Sequence, residues 1–232
     1  MQNSATSSGF LTPATVRIIP FTVFIAFIML QGLVEDMLRS QGLDARWFYP
    51  ARAIAVALLL LVYWRHYTEL KDSAGITWTR TTVAFIAGIV VFVLWINLDF
   101  EWAMFGKPAA FDPTQTDGAG LDWMFIAFRV FGLAVVVPVM EELFWRSFLQ
   151  RWIDQHDFLA HDPAKASVRA IVICALLFAS EHNLWLAGAL AGRIYSFIYM
   201  RGGNLWLPIV SHATTNAALA WWIVATNQWQ FW

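Results

Sequence analysis

Glu141 and Glu142, with Arg146 four positions after the second, are the first residues in this chain whose types and spacing could do chemistry. On a helix, Glu142 and Arg146 meet on one face, and pairing lowers the cost of both charges. Glu141 lies about 100° round the same helix and is free to point elsewhere. Two readings of the cluster stand. It is an interfacial helix end with solvated charges, or it is a structural pair that holds Glu141 towards a cavity. A carboxylate in a low-dielectric cavity is a competent general base. A second cluster runs Phe178-Ala179-Ser180-Glu181-His182 and ends an apolar run. His182 is there a helix-end histidine with a backbone or water partner, or a proton-handling group or metal ligand. The third is His212-Ala213-Thr214-Thr215-Asn216. His212 and Asn216 share a face about 10 Å into an apolar helix, counted at 1.5 Å per residue. They form an interhelical hydrogen-bond clamp or a pair of donors for a developing oxyanion. Peptide hydrolysis needs a base for water, donors for the oxyanion and an acid for the leaving amine. One glutamate, two histidines and an asparagine could supply all three. A zinc site on Glu141, His182 and His212 could also do so.

The elements that must position these groups are apolar helices. Of 232 residues, 59% are hydrophobic and 13% charged, and the mean hydropathy is +0.56. Soluble domains carry about 25% charged residues, and disorder needs the opposite composition. A net charge of -1 offers nothing to nucleic acid. The single cysteine, Cys174, allows no intrachain disulfide and no cysteine-rich zinc site. Fourteen Trp and nineteen Phe suit aromatic belts at membrane interfaces. Runs of about 20 apolar residues cross a bilayer. The expected spans are 18–34, 51–64, 82–98, 122–140, 168–179, 184–200 and 205–225, with a kink or break at Pro138. Amphipathic helix continues from the fourth span through Glu141 to about Ile153, and the count becomes eight if that helix is separate. The expected fold is therefore all-α, a polytopic transmembrane bundle of seven to eight helices around an intramembrane cavity, one domain over 1–232. Ionisable groups inside such helices need a reason, and Arg129 and Arg193 are read as ion-pair partners.

No cleavable signal peptide is expected, since the first fifteen residues hold no basic cluster. The linker 99–120 is acidic, with Asp99, Glu101, Asp112 and Asp117 against Lys107. Basic loops mark the cytoplasmic side. Those holding Arg65, Lys71 and Arg80, then Arg146, Arg151, Lys165 and Arg169, then Arg201 fall together if seven spans alternate. The 35–52 loop, with Arg39, Arg46 and Arg52, fits that orientation less well. The same count sets Glu141 near the cytoplasmic end and His182 near the outer end. A shared site then requires a short, tilted fifth helix, a break at Pro138, or a different count.

The ordered motifs EExxxR, FxxxH and HxxxN, over Glu141 to Asn216, resemble the CPBP (CAAX protease and bacteriocin-processing) family of intramembrane endopeptidases, which includes the type II CAAX prenyl proteases. The resemblance implies Glu141 as general base acting with His182 on water, and His212 with Asn216 as oxyanion hole. It implies support from Glu142 and Arg146, and a helical bundle around a conical cavity. It implies endoproteolysis near the C-terminus of a membrane-associated protein or peptide, with no cofactor and zinc as the alternative. No HExxH is present. The compact length, the Trp-rich end and Gly202-Gly203-Asn204-Leu205-Trp206-Leu207-Pro208 are similar to CAAX-protease-related proteins of bacterial exosortase systems. That similarity implies a bacterial inner-membrane location and unprenylated substrates. A non-catalytic membrane scaffold or immunity-type protein retaining the fold is the other reading. A transporter would need a polar path across both leaflets, and the first three spans offer little beyond Arg17, Arg52 and Asn97.

Overall fold

In a computed structural model that describes residues 11–106, 111, 113, 114 and 120–232, helices form wherever the apolar runs predict them. We label the seven long ones α1 (Thr15–Ser40), α2 (Phe48–Val62), α3 (Trp78–Asn97), α4 (Trp123–Trp152), α5 (Val168–Ser180), α6 (Trp185–Gly202) and α7 (Trp206–Thr226). No β-strand occurs among the described residues. Residues 1–10, Lys107, Asp112 and Asp117, on which the leader and linker readings partly rest, lie outside them.

Local chemistry starts and stops these helices. The side chains of Thr77, Asp122 and Ser167 accept the backbone N–H of Arg80, Phe125 and Ala170, capping α3, α4 and α5. Gly203, at φ 66°, closes α6 in the left-handed conformation that glycine adopts without strain. Asn204 then locks the α6–α7 turn. Its Nδ2 donates to Asp72 O at 2.8 Å and Ala74 O at 2.9 Å. The glycine-asparagine run is thus a joint between the turn and the 72–76 loop.

Large apolar side chains such as Leu61, Val83, Phe85, Leu176, Phe197 and Trp221 point outwards, as a bilayer requires and water does not. Four helices, Thr15–Leu38, Ala45–Val62, Trp78–Asn97 and Trp123–Trp152, are long and apolar enough to cross a membrane. The expected all-α helical membrane bundle is what the described residues form, with seven long helices. Val168–Ser180 is apolar but has 13 residues, and α6 and α7 carry polar residues that face protein rather than lipid. α7 packs along α3 and against the middle of α4, and α5 packs on α6.

Two close approaches make this packing possible. At Gly88 a Cβ would stand 2.3 Å from Ser211 O and 2.7 Å from Thr214 Cβ, so only glycine lets α3 lie this near α7. At Gly188 and Gly192 a Cβ would stand 3.2 and 3.1 Å from the Cα atoms of Ala179 and Ala175, which sets α5 on α6.

The expected break at Pro138 does not occur: α4 runs on through it. Just before the proline, Gly132–Val136 winds as π-helix, and Val137 N–H donates to Gly132 O, five residues back. In that register the next carbonyl, Leu133 O, faces residue 138, which has no N–H to give. A second π-helical stretch, Leu143–Leu149, follows Glu142. Glu141 and Glu142 therefore sit between two π segments, a wider winding often associated with functional sites.

The arginines also depart from expectation. Arg193 is exposed, and among the described residues neither it nor Arg129 forms an ion pair. Arg52, counted with the basic loop, is inside α2 and buried. Arg46 is held by Asp44 at 2.7 Å.

Candidate active site

A cavity of about 570 Å³ opens among the helices, and Glu141, His182, His212 and Asn216 all line it. The difficulty of bringing Glu141 to His182 is resolved by helix lengths. α4 continues eleven residues beyond Glu141 to Trp152, so Glu141 is nearer mid-helix than end. α5 spans 13 residues, so the turn that carries His182 returns to the same level.

Each side chain is held by its own element. The buried Glu142 and Arg146 pair at 3.1 Å (Oε2 to Nε), as their spacing predicts. The other Glu142 oxygen accepts from His212 Nδ1 at 3.0 Å. Arg146 also donates to Gly192 O at 3.2 Å and stacks over Phe178 and Tyr195, at 4.8 and 5.5 Å from their centroids. Glu141 is turned away from this pair. Its Oε2 stands 4.0 Å from His212 Nε2. Tyr195 lies flat against the His212 ring, 4.8 Å between centroids, and donates to Thr215 Oγ1 at 2.8 Å.

His182 follows the last turn of α5. Its Nδ1 lies 2.7 Å from Phe178 O. A carbonyl can only accept, so Nδ1 carries the proton and Nε2 is left with a lone pair. The FxxxH spacing is therefore a local device: the histidine satisfies a carbonyl near the helix end and is oriented by doing so. Trp95 of α3 packs edge-on against its ring at 5.2 Å.

Asn216 is held by the irregularity in α4. Its Nδ2 donates to Leu133 O at 2.8 Å, the carbonyl that Pro138 cannot serve. One Nδ2 hydrogen and the amide oxygen remain for other partners. The proline, the π turn and the asparagine thus form one arrangement across two helices.

The interhelical clamp expected of His212 and Asn216 is present, since both bond to groups on α4, and Thr215 adds a second. Thr215 Oγ1 lies 2.9 Å from Gly88 O and clamps α7 to α3, while His212 and Asn216 face the cavity. Among the described residues no three His, Cys, Asp or Glu side chains are gathered as a metal-ion ligand set. Sequence reasoning missed Tyr195, a single aromatic hydroxyl in an apolar helix with no spacing to mark it. It also gave no role to Glu181, although that residue sits inside the FxxxH motif and lines the same cavity. Arg52, Tyr49 and Arg129 line it as well.

Residues 123–218 match the family model described as type II CAAX prenyl endopeptidase Rce1-like. No curated protein and no solved structure gives a match. The matched segment begins at the first residue of α4, ends two residues beyond Asn216 and contains all four of the polar side chains above. That segment is similar to the type II CAAX prenyl endopeptidases, and the chain that holds it is an integral membrane protein built as a helical bundle.

Proposed function

We propose that the protein is an intramembrane endopeptidase of bacterial inner membranes, hydrolysing a peptide bond of a membrane-associated protein or peptide without a metal. The observation that carries the reading is that Glu141, His182, His212 and Asn216, contributed by α4, the turn after α5, and α7, line one cavity.

In this mechanism water, held by a hydrogen bond to Nε2 of His182, attacks the scissile carbonyl and gives one proton to Glu141. The carbonyl oxygen becomes an oxyanion. The second Nδ2 hydrogen of Asn216 can donate to it while the first stays on Leu133 O. For His212 to donate as well, Nε2 must carry a proton while Nδ1–H stays on Glu142. That is the imidazolium form. The C–N bond then breaks, and the proton taken from water is delivered to the leaving amine. Arg146 holds Glu142 in place, so this pair positions His212 rather than touching substrate.

The experiment maps new protein termini in membranes by mass spectrometry. Cells carrying the native chain are compared with cells carrying Glu141→Gln at matched abundance. Termini that depend on Glu141, and reappear with purified components, are the expected result. Identical termini in both would remove the protease reading and favour a scaffold or immunity-type protein that keeps the fold.

A further inference from the structure

The cavity has a second polar feature that the hydrolytic machinery does not use. Arg52 of α2 and Arg129 of α4 both line it. Their guanidinium carbons lie 4.8 and 4.6 Å from the centroid of one ring, Tyr49. Phe24 covers Arg52 at 4.5 Å, and Phe111 covers Arg129 at 4.4 Å. Tyr49 is itself fixed, donating through its hydroxyl to Arg129 O at 3.1 Å.

Rings can screen the faces of a guanidinium, but its five N–H groups radiate from the edge and need acceptors. The Nε atoms of both arginines are buried without a hydrogen-bond partner, and among the described residues no carboxylate pairs with either side chain. Arg52 is 9% exposed. Arg52 buried and Arg129 half-buried, like-charged and side by side without a paired counter-charge, are unfavourable by themselves. Every other buried arginine in the bundle is answered: Arg17 by Glu69 at 2.5 Å, Arg146 by Glu142 at 3.1 Å, and Arg151 by Ser147 O at 2.6 Å. The Arg52–Arg129 pair is the exception, and it faces the cavity.

We propose that Arg52 and Arg129 form an anion-binding subsite that takes the free C-terminal carboxylate of the substrate. Planar guanidinium edges match a carboxylate by paired hydrogen bonds. The assignment to a chain end rests on the protease reading above and on the shared cavity. Arg129 and Glu141 stand twelve positions apart on one helix, about 18 Å along its axis at 1.5 Å per residue. An extended peptide covers that in about five residues, and the reach of the two side chains shortens it. Phe24, Ile25, Ile28, Leu133 and Leu219 line the cavity and suit an apolar segment. The subsite would therefore measure a short hydrophobic tail from its free end, and select ends over interior segments.

The test compares N-acetyl-trileucine with its carboxamide, titrated by calorimetry against the full chain in phosphatidylcholine nanodiscs, both native and Glu141→Gln. The expected result is binding of the acid at least about ten-fold tighter than the amide. In the Arg52→Gln/Arg129→Gln variant the two should bind alike. Equal binding of acid and amide to the native chain, which needs no variant, would overturn the proposal. So would no binding of either, or an acid preference that survives the double substitution. A lipid source is separated by native mass spectrometry from phosphatidylglycerol-containing discs. Phosphatidylglycerol retained by the native chain but not by the double variant would give the subsite to a headgroup instead. Failure of the protease reading is read separately, from termini that do not depend on Glu141 while the acid preference stands.

Discussion

Replacing Glu142 by Gln should be among the most destabilising single changes in the bundle, and replacing Arg146 as well should recover much of the loss. Both side chains are fully buried, and Arg146 has only Gly192 O at 3.2 Å besides the carboxylate. Glu142→Gln preserves shape and still offers His212 Nδ1 an acceptor, but leaves the guanidinium charge uncompensated. Breaking one side of a buried pair costs about 3–5 kcal/mol, a large share of a typical total of about 5–15 kcal/mol. Arg146→Met keeps an unbranched chain between Phe178 and Tyr195 without the charge. It strands Glu142 in turn, and should cost about as much. The double variant has no unpaired charge, so its cost should fall short of the sum of the singles by about 2 kcal/mol or more. Reversible unfolding in mixed detergent and dodecyl sulfate, followed by far-UV circular dichroism, measures all four corners. Additivity within about 0.5 kcal/mol, or a single substitution costing under about 1 kcal/mol, would refute the reasoning. Either would mean that water reaches this pair.

Asn216→Ala should cost about 1–3 kcal/mol by orphaning Leu133 O, and Pro138→Ala, which restores an N–H to α4, should reduce that penalty in the same unfolding assay. Gly88→Ala should lower stability by about 1–3 kcal/mol, because its Cβ meets Ser211 O at 2.3 Å. It should also cut the yield of Glu141-dependent termini, since a 1 Å displacement near reacting groups can cost about a hundred-fold in rate. Between α2 and α3, burial alone would raise the Glu69 carboxyl, but hydrogen bonds and charge from Arg17, with Ser147, hold it below its ordinary value of 4.5. A depressed carboxylate contributes stability that is complete above that ordinary value and fades as pH falls through the folded one. Native stability should therefore decline below about pH 4.5, and Glu69→Gln should flatten that decline in thermal melts taken across pH.

Much of the site was legible because it is written locally. Glu142 with Arg146 depends only on helical spacing, and both hold that spacing even where the helix widens to π. His182 depends on the carbonyl four residues before it. The apolar runs placed the seven long helices, since a backbone in lipid has no other way to satisfy its hydrogen bonds. What spacing cannot encode is which faces of different helices meet. Pro138 reads as a breaker in one dimension. It is tolerated because α7 brings Asn216 to the carbonyl the proline leaves open. Arg129 reads as half of an ion pair, and instead lies beside Arg52 over Tyr49, paired with no carboxylate among the described residues. The 4.0 Å between Glu141 and His212 likewise depends on Gly88 letting α3 and α7 close together. The sequence by itself determined the helices and the chemical groups on them. The tertiary structure decided which groups share a cavity, because contacts between helices follow from packing of side chains distant in the chain and not from the period of any one helix.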